Sequence, residues 1–484
     1  MRRILLCLLC LLWLLPSVAF GADSKLIDAI KAHDAKAIQT LLHSRDAINA
    51  TQGDGSTALH WAVRYDDSQL VDSLLHAGAR VNVANDVGVT PLYLACTNRD
   101  AAIVERLLNA EADANASLLN GETVLMNCAR TGNAAAVKAL VAAGAKVNAK
   151  EPGHNQTALM WAATEKHPEA VQVLLNAGAD VRARSLTYSQ TVTSEVTQRL
   201  GREELNYTVL RGGSTPLLFA ARSGDAESVR LLLASGADVN DTQPDGMSAL
   251  TLAAHSGNGL AGHVLLERGA DPNAVGIGYT ALHAAILRSD LSLVKDLLAH
   301  GANPNATVTK GTPLRRNNQD FNLPATLIGA TPYWLAAKFV EADIMRALLA
   351  AGADPKATIP DGTTPLMAAA GLKEPGARDT DRRGLAFIDG GKVPEESDVV
   401  ETVTVALQSG DINTTNKNGD TALHAAATMG YNRAIQLLAE HGAKLDIKNG
   451  KGQTALGALT AGRNRADSAR NATIELLRKL GATE

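Results

Sequence analysis

Apolar residues come in short pulses along the chain, and the pulses recur in pairs. In one pair, Thr421-Ala-Leu-His-Ala-Ala-Ala-Thr-Met is followed by Ile435-Gln-Leu-Leu-Ala-Glu-His-Gly442-Ala. At about 100° per residue the Leu and the Ala-Ala of the first pulse share one side, which predicts a short amphipathic helix. Thr is a natural N-cap, and proline occupies the first helical position at Pro91, Pro216, Pro332 and Pro365. The second pulse predicts another helix, ending Leu-Leu-x-x-Gly-Ala. Gly78, Gly178 and Gly352 stand where a left-handed C-cap belongs. An Asx-rich turn then leads into the next pair.

The leading residue recurs at Thr57, Thr90, Thr123, Thr157, Thr215, Ser248, Thr280, Thr331, Thr364, Thr421 and Thr454. Most steps are 32 to 34 residues, and three are longer, at 58, 51 and 57. This period and the Thr-Pro-Leu-His-x-Ala pattern resemble the ankyrin repeat family. The resemblance implies an all-α solenoid, a stack of paired helices with β-hairpin fingers. No single unit buries its own apolar face, so stability would come from neighbours. Glu111 departs from the pattern, standing where the helix-ending glycine belongs, and should cost about 1 kcal/mol of strain.

These steps set the expected organisation. Residues 1–21 are a signal peptide, 22–52 an N-terminal capping half-repeat and 53–185 repeats one to four. An insertion at 186–211 precedes repeats five to seven at 212–307, and a second lies at 308–328. Repeat eight and the first helix of repeat nine take 329–371. A third insertion at 372–394 leads to the rest of repeat nine, repeats ten and eleven and a C-terminal cap at 395–484.

The N-terminus is read as a signal because Arg2 and Arg3 precede an apolar run from Ile4 to Leu15, ended by Pro16. Cleavage is expected after Ala19 or Gly21. A membrane anchor is the alternative, but about twenty apolar residues are needed to span a bilayer. The expected location is therefore periplasmic or secreted. The mature chain would keep Cys96 and Cys128. An oxidising compartment permits pairing, yet repeat spacing is expected to exceed the bridge's reach, leaving two small core residues.

Composition adds little chemistry. Aromatics make up 3%, as suits helices filled by Ala and Leu, and the net charge of −4 offers no basic excess for nucleic acid. His60, His283 and His424 occupy the repeat's own histidine position, where a structural hydrogen bond is expected. His76, His300 and His441 fall in the last turns of second helices, where imidazolium suits the dipole. No metal-ligand spacing, nucleophile elbow or phosphate loop occurs, so neither enzyme activity nor a cofactor is expected. Gly276-Ile-Gly278 reads as a turn.

Counting Thr as position 4, position 8 should point away from the core, towards a concave face. It reads Trp61, Leu94, Asn127, Trp161, Phe219 and Leu252 in the first six units, then mostly Ala. Positions 11 and 12 add Arg64, Tyr65, Arg130, Arg222, His255, Arg288 and Lys338. Aromatics interleaved with Arg are favoured at protein-binding hot spots. Trp61, Tyr65, Leu94, Arg130, Trp161, Phe219, Arg222, Leu252 and Arg288 are therefore the candidate partner-binding residues. An acidic, partly apolar polypeptide is the expected ligand. The competing reading makes position 8 half-buried packing and the bases complements to helix dipoles.

The first insertion, rich in Thr, Val and Tyr, suggests an extended finger. The second carries Lys310, Arg315 and Arg316. The third, with Arg378, Asp379, Asp381, Arg382, Arg383 and Asp389, offers the only carboxylates for an enzymatic alternative. Sequons include Asn115, Asn206, Asn305 and Asn413, though Asn-Ala-Thr is also ordinary hairpin sequence in this repeat. The whole reads as a monomeric, non-catalytic protein-binding scaffold, similar to bacterial exported ankyrin proteins. A secreted effector acting on a host is the alternative setting.

Overall fold

The computed structural model describes residues 24–193, 206–311, 323, 325–372, 394–408, 411–461 and 468–484. The signal segment, the tip of the first insertion and most of the other two insertions, including Arg315, Arg316 and Asp379, lie outside them. The chain forms two units, Met1–Asp180 and Val181–Glu484.

In the first unit, helices Lys25–Lys31, Ala35–Leu41 and Arg45–Ile48 precede four helix pairs. These are Ala58–Arg64 with Ser68–His76, Pro91–Asn98 with Ala101–Asn109, Val124–Thr131 with Ala134–Ala142, and Ala158–Thr164 with Pro168–Asn176. First helices pack on first helices and second on second. The core is a strip in which each pair contributes equivalent residues. Leu59, Leu92, Leu125 and Leu159 come from the first helices, and Val71, Val104, Val137 and Val171 from the second. The expected caps form: Thr90 Oγ1 accepts the Tyr93 N–H at 3.2 Å, and Asp100 accepts from Ala102 at 2.7 Å.

Histidine ties one repeat to the next. The Thr57 N–H donates to His60 Nδ1 at 3.1 Å, so the proton sits on Nε2, which reaches the Val89 carbonyl at 3.0 Å. His424 repeats this with Thr421 and the Gln453 carbonyl.

Asparagine does the same at the fingers. Asn115 Nδ2 donates to the Gly144 carbonyl at 3.2 Å, while its Oδ1 accepts the Lys146 N–H at 2.8 Å. Asn49 and Asn148 make the equivalent double bond to Gly78 and Arg80, and to Gly178 and Asp180. Asn82 uses Glu111, whose backbone takes the strained φ of 63° expected of a residue in the glycine position. Asn115 is therefore a rung of the fold as well as a sequon. Asn115→Ala removes both bonds and should cost about 1–2 kcal/mol. A lowered urea midpoint would register the loss; an unchanged midpoint would show that water replaces the rung without penalty.

The second unit opens on an antiparallel hairpin, Thr187–Thr193 with Asn206–Gly212, paired from Thr187↔Gly212 to Thr193↔Asn206. Arg184 anchors its base, donating to the Gly213 carbonyl at 2.8 Å and pairing with Asp241. Seven helix pairs follow, from Pro216–Ser223 with Ala226–Ala234 to Ala455–Thr460 with Ser468–Lys479. The ladder continues through Asn273 to Gly301, Asn305 to Gly352 and Asn413 to Gly442. Elsewhere among the described residues the fingers are tight turns with single bridges, as at Thr242↔Ser248. Two fingers touch backbone to backbone at Gly246 and Gly276, where a Cβ on Gly276 would lie 2.3 Å from the Gly246 carbonyl oxygen. Gly276 thus serves packing between fingers as well as its own turn.

One expectation fails. Cys96 and Cys128 form a disulfide, with Cα atoms 4.7 Å apart. First helices filled by alanine approach closely. Cys96 lies six residues after its Thr and Cys128 five after its own, a stagger that brings the thiols together.

Candidate protein-interaction face

In the first unit Trp61 is half-buried, and its Nε1 donates to Gln52 Oε1 at 3.2 Å. Lys31 Nζ lies 4.3 Å from the ring centroid and the Arg64 guanidinium 5.4 Å. The exposed Tyr65 ring is 5.7 Å from Trp61, and His33 lies 5.2 Å from Tyr65. Three expected residues, Trp61, Arg64 and Tyr65, thus meet in one cluster. Lys31, at the end of a helix that lacks the repeat's Thr register, and His33, in the turn after it, complete it.

A second cluster is more polar. Asn127, at position 8, is fully buried, with its Nδ2 donating to the Tyr93 carbonyl at 3.0 Å and to Thr97 Oγ1 at 2.9 Å. Its Oδ1 accepts from Arg130 Nη2 at 2.7 Å. Glu122 accepts the Tyr93 hydroxyl at 2.9 Å and stands 3.8 Å from Arg130 Nε. Burial, with Glu122 beside it, pushes the Tyr93 hydroxyl up to about 12. Arg130 also lies 5.9 Å from the half-buried Trp161 ring, whose Nε1 is buried without an acceptor among the described residues. Sequence reasoning missed Tyr93 and Glu122. The available signal was that Tyr93 occupies the position held elsewhere by His60, so it reaches forward to the next finger.

In the second unit Phe219 is half-buried and Arg222 exposed, with Asp245 and Tyr188 in electrostatic reach of Arg222. Arg288 Nε donates to the His255 carbonyl at 2.5 Å, and His255 Nδ1 lies 3.2 Å from the Tyr279 hydroxyl. Burial raises the Tyr279 hydroxyl well above its ordinary value. Tyr188 and Leu210 on the hairpin are exposed.

Position 8 does not point away from the core uniformly. Leu252 is 4% exposed and serves packing, and Leu94 is half-buried. The neighbouring first helix covers this position to a different extent in each repeat, sealing Leu252 while the Trp61, Trp161 and Phe219 rings and Leu94 keep some surface. Among the described residues no group of three or more His, Cys, Asp or Glu could hold a metal ion. No described helix is long and apolar enough to cross a membrane.

The model of the family described as ankyrin repeats (3 copies) matches residues 26–117, 98–185, 193–276, 217–308 and 395–477, well over half of the chain. The chain belongs to the ankyrin repeat family. Ankyrin repeats imply a protein–protein interaction scaffold. Among solved structures, the crystal structure of the human ASB11 ankyrin repeat domain is 25% identical, covering 54% of this chain and 98% of that domain. Its TM-score of 0.41 is too low to carry an argument about this chain. No curated protein matches the sequence.

Proposed function

We propose that this ankyrin chain is an exported, non-catalytic scaffold that binds a protein partner through the first-helix face of each unit and its hairpin insertion. Aromatic and arginine side chains left on that face carry the reading. Trp61, Tyr65, Leu94, Arg130 and Trp161 would contribute from the first unit, and Phe219, Arg222 and Arg288 from the second. Their neighbours at the same register are sealed, whereas these rings keep accessible surface.

The disulfide supports export, since such bridges persist in oxidising compartments. The Arg2–Arg3 start and the following apolar run support it independently.

The test uses the mature chain as bait among exported proteins, followed by affinity measurement with the captured partner. Trp61→Ala, Trp161→Ala and Phe219→Ala should each weaken binding by about 1–3 kcal/mol with the stack still folded. Lower melting temperatures with unchanged affinity would make these rings structural and end the proposal.

A further inference from the structure

Most bases near the first-helix face are already matched. Arg130 is held by Asn127 and Glu122, Arg288 by the His255 carbonyl, and Asp245 lies within electrostatic reach of Arg222. Lys31 and Arg64 differ. Both are exposed, both rest against the Trp61 ring, and neither pairs with a carboxylate among the described residues.

The acids nearby are engaged by local donors. Asp28 accepts the Ser24 hydroxyl at 3.2 Å, and Asp34 accepts the Lys36 and Ala37 N–H groups at 3.1 Å. Asp54 holds Ser56 through its N–H at 2.9 Å and its hydroxyl at 3.0 Å. Asp67 caps the Leu70 N–H at 2.9 Å, and Asp66 shares a hydrogen bond with Asp100. The two cations therefore keep unused donors beside an aromatic surface built from Trp61, Tyr65 and His33.

A guanidinium can take both oxygens of a carboxylate, while an ammonium adds a point charge. The exposed ring edges beside them need an apolar neighbour. From this charge complementarity we infer that Lys31, Arg64 and Trp61 anchor an acidic segment of a partner polypeptide, with an Asp or Glu adjacent to an aromatic or aliphatic residue. The inference rests on the protein-binding reading above and assigns it a chemistry and a place.

The test is fluorescence anisotropy with the full mature chain and a fluorescein-labelled sixteen-residue peptide alternating Glu with Leu and Phe. A second peptide carries Gln for every Glu, and a third probe is a single-stranded DNA oligonucleotide. The acidic peptide should bind. The Gln peptide, or the Lys31→Glu/Arg64→Glu chain with the acidic peptide, should bind at least tenfold more weakly. Trp161→Ala should change this affinity much less, and circular dichroism checks that each variant is folded.

Binding of the acidic peptide that charge reversal alters less than twofold overturns the anchor and leaves the wider reading intact. Failure of both peptides also overturns it, and the wider reading then stands or falls on whether Trp61→Ala loses the captured partner. Tighter binding of the oligonucleotide, abolished by the same reversal, would assign the cluster to nucleic acid and likewise overturn it.

Discussion

Replacing Cys96 and Cys128 with alanine lowers the stability of the first unit by about 4 kcal/mol in non-reducing buffer. The bridge closes a segment with a sequence separation of 32, and the chain entropy it removes from the unfolded state sets that figure. Neighbouring repeats supply the rest of the unit's stability, so the loss should concentrate locally. Hydrogen exchange should show Pro91–Asn98 and Val124–Thr131 opening first. A reducing agent should act on the wild type to the same extent and leave the double variant unchanged. Two free thiols in the denatured, non-reduced mature chain, which has no cysteines other than Cys96 and Cys128, would refute the bridge outright.

Acidification should destabilise the second unit through His283. Its Nδ1 is occupied by Thr280, with the hydroxyl at 2.9 Å and the N–H at 3.3 Å, and the ring is wholly buried. Burial lowers its pKa from 6.5 to about 4. The unfolded chain therefore takes up a proton between those values that the folded chain refuses. Stability is full above pH 6.5, falls as pH drops towards 4, and changes no further from this group below that. The loss amounts to about 3 kcal/mol. His60 is displaced in the same direction, again mainly by burial, so the first unit should follow more weakly. Urea unfolding at pH 7.5 and pH 5, followed by the buried Trp334, reads this out for wild type and His283→Asn. An equal drop in both would place the pH dependence elsewhere.

The repeat, its caps and its histidine bonds were legible because each depends on residues a few places apart, written again every 33 positions or so. Glu111 was legible as strain for the same reason. The disulfide was not. Its partners meet through the close approach of alanine-lined helices and a one-residue stagger, which a count along the chain does not convey. Leu252 was misread because a helical wheel knows only its own unit's core and not the neighbour that covers the other side. Lys31 lay beyond reach because it belongs to a helix outside the repeat register, and only packing puts it on Trp61. Tyr93 offered a clue in its position, though nothing in the sequence alone says that Glu122 receives its hydroxyl.

The asparagine rungs bear on how such a chain can grow. A rung is specified by height in the stack and makes no reference to how much chain intervenes: Asn115 reaches 29 residues ahead to Gly144, whereas Asn305 reaches 47 ahead to Gly352 with the same two bonds. Material can therefore be spliced in at a turn, or a whole repeat duplicated, without orphaning a single amide. The stack behaves like a ring binder, holding its pages in order while leaving their margins free to vary.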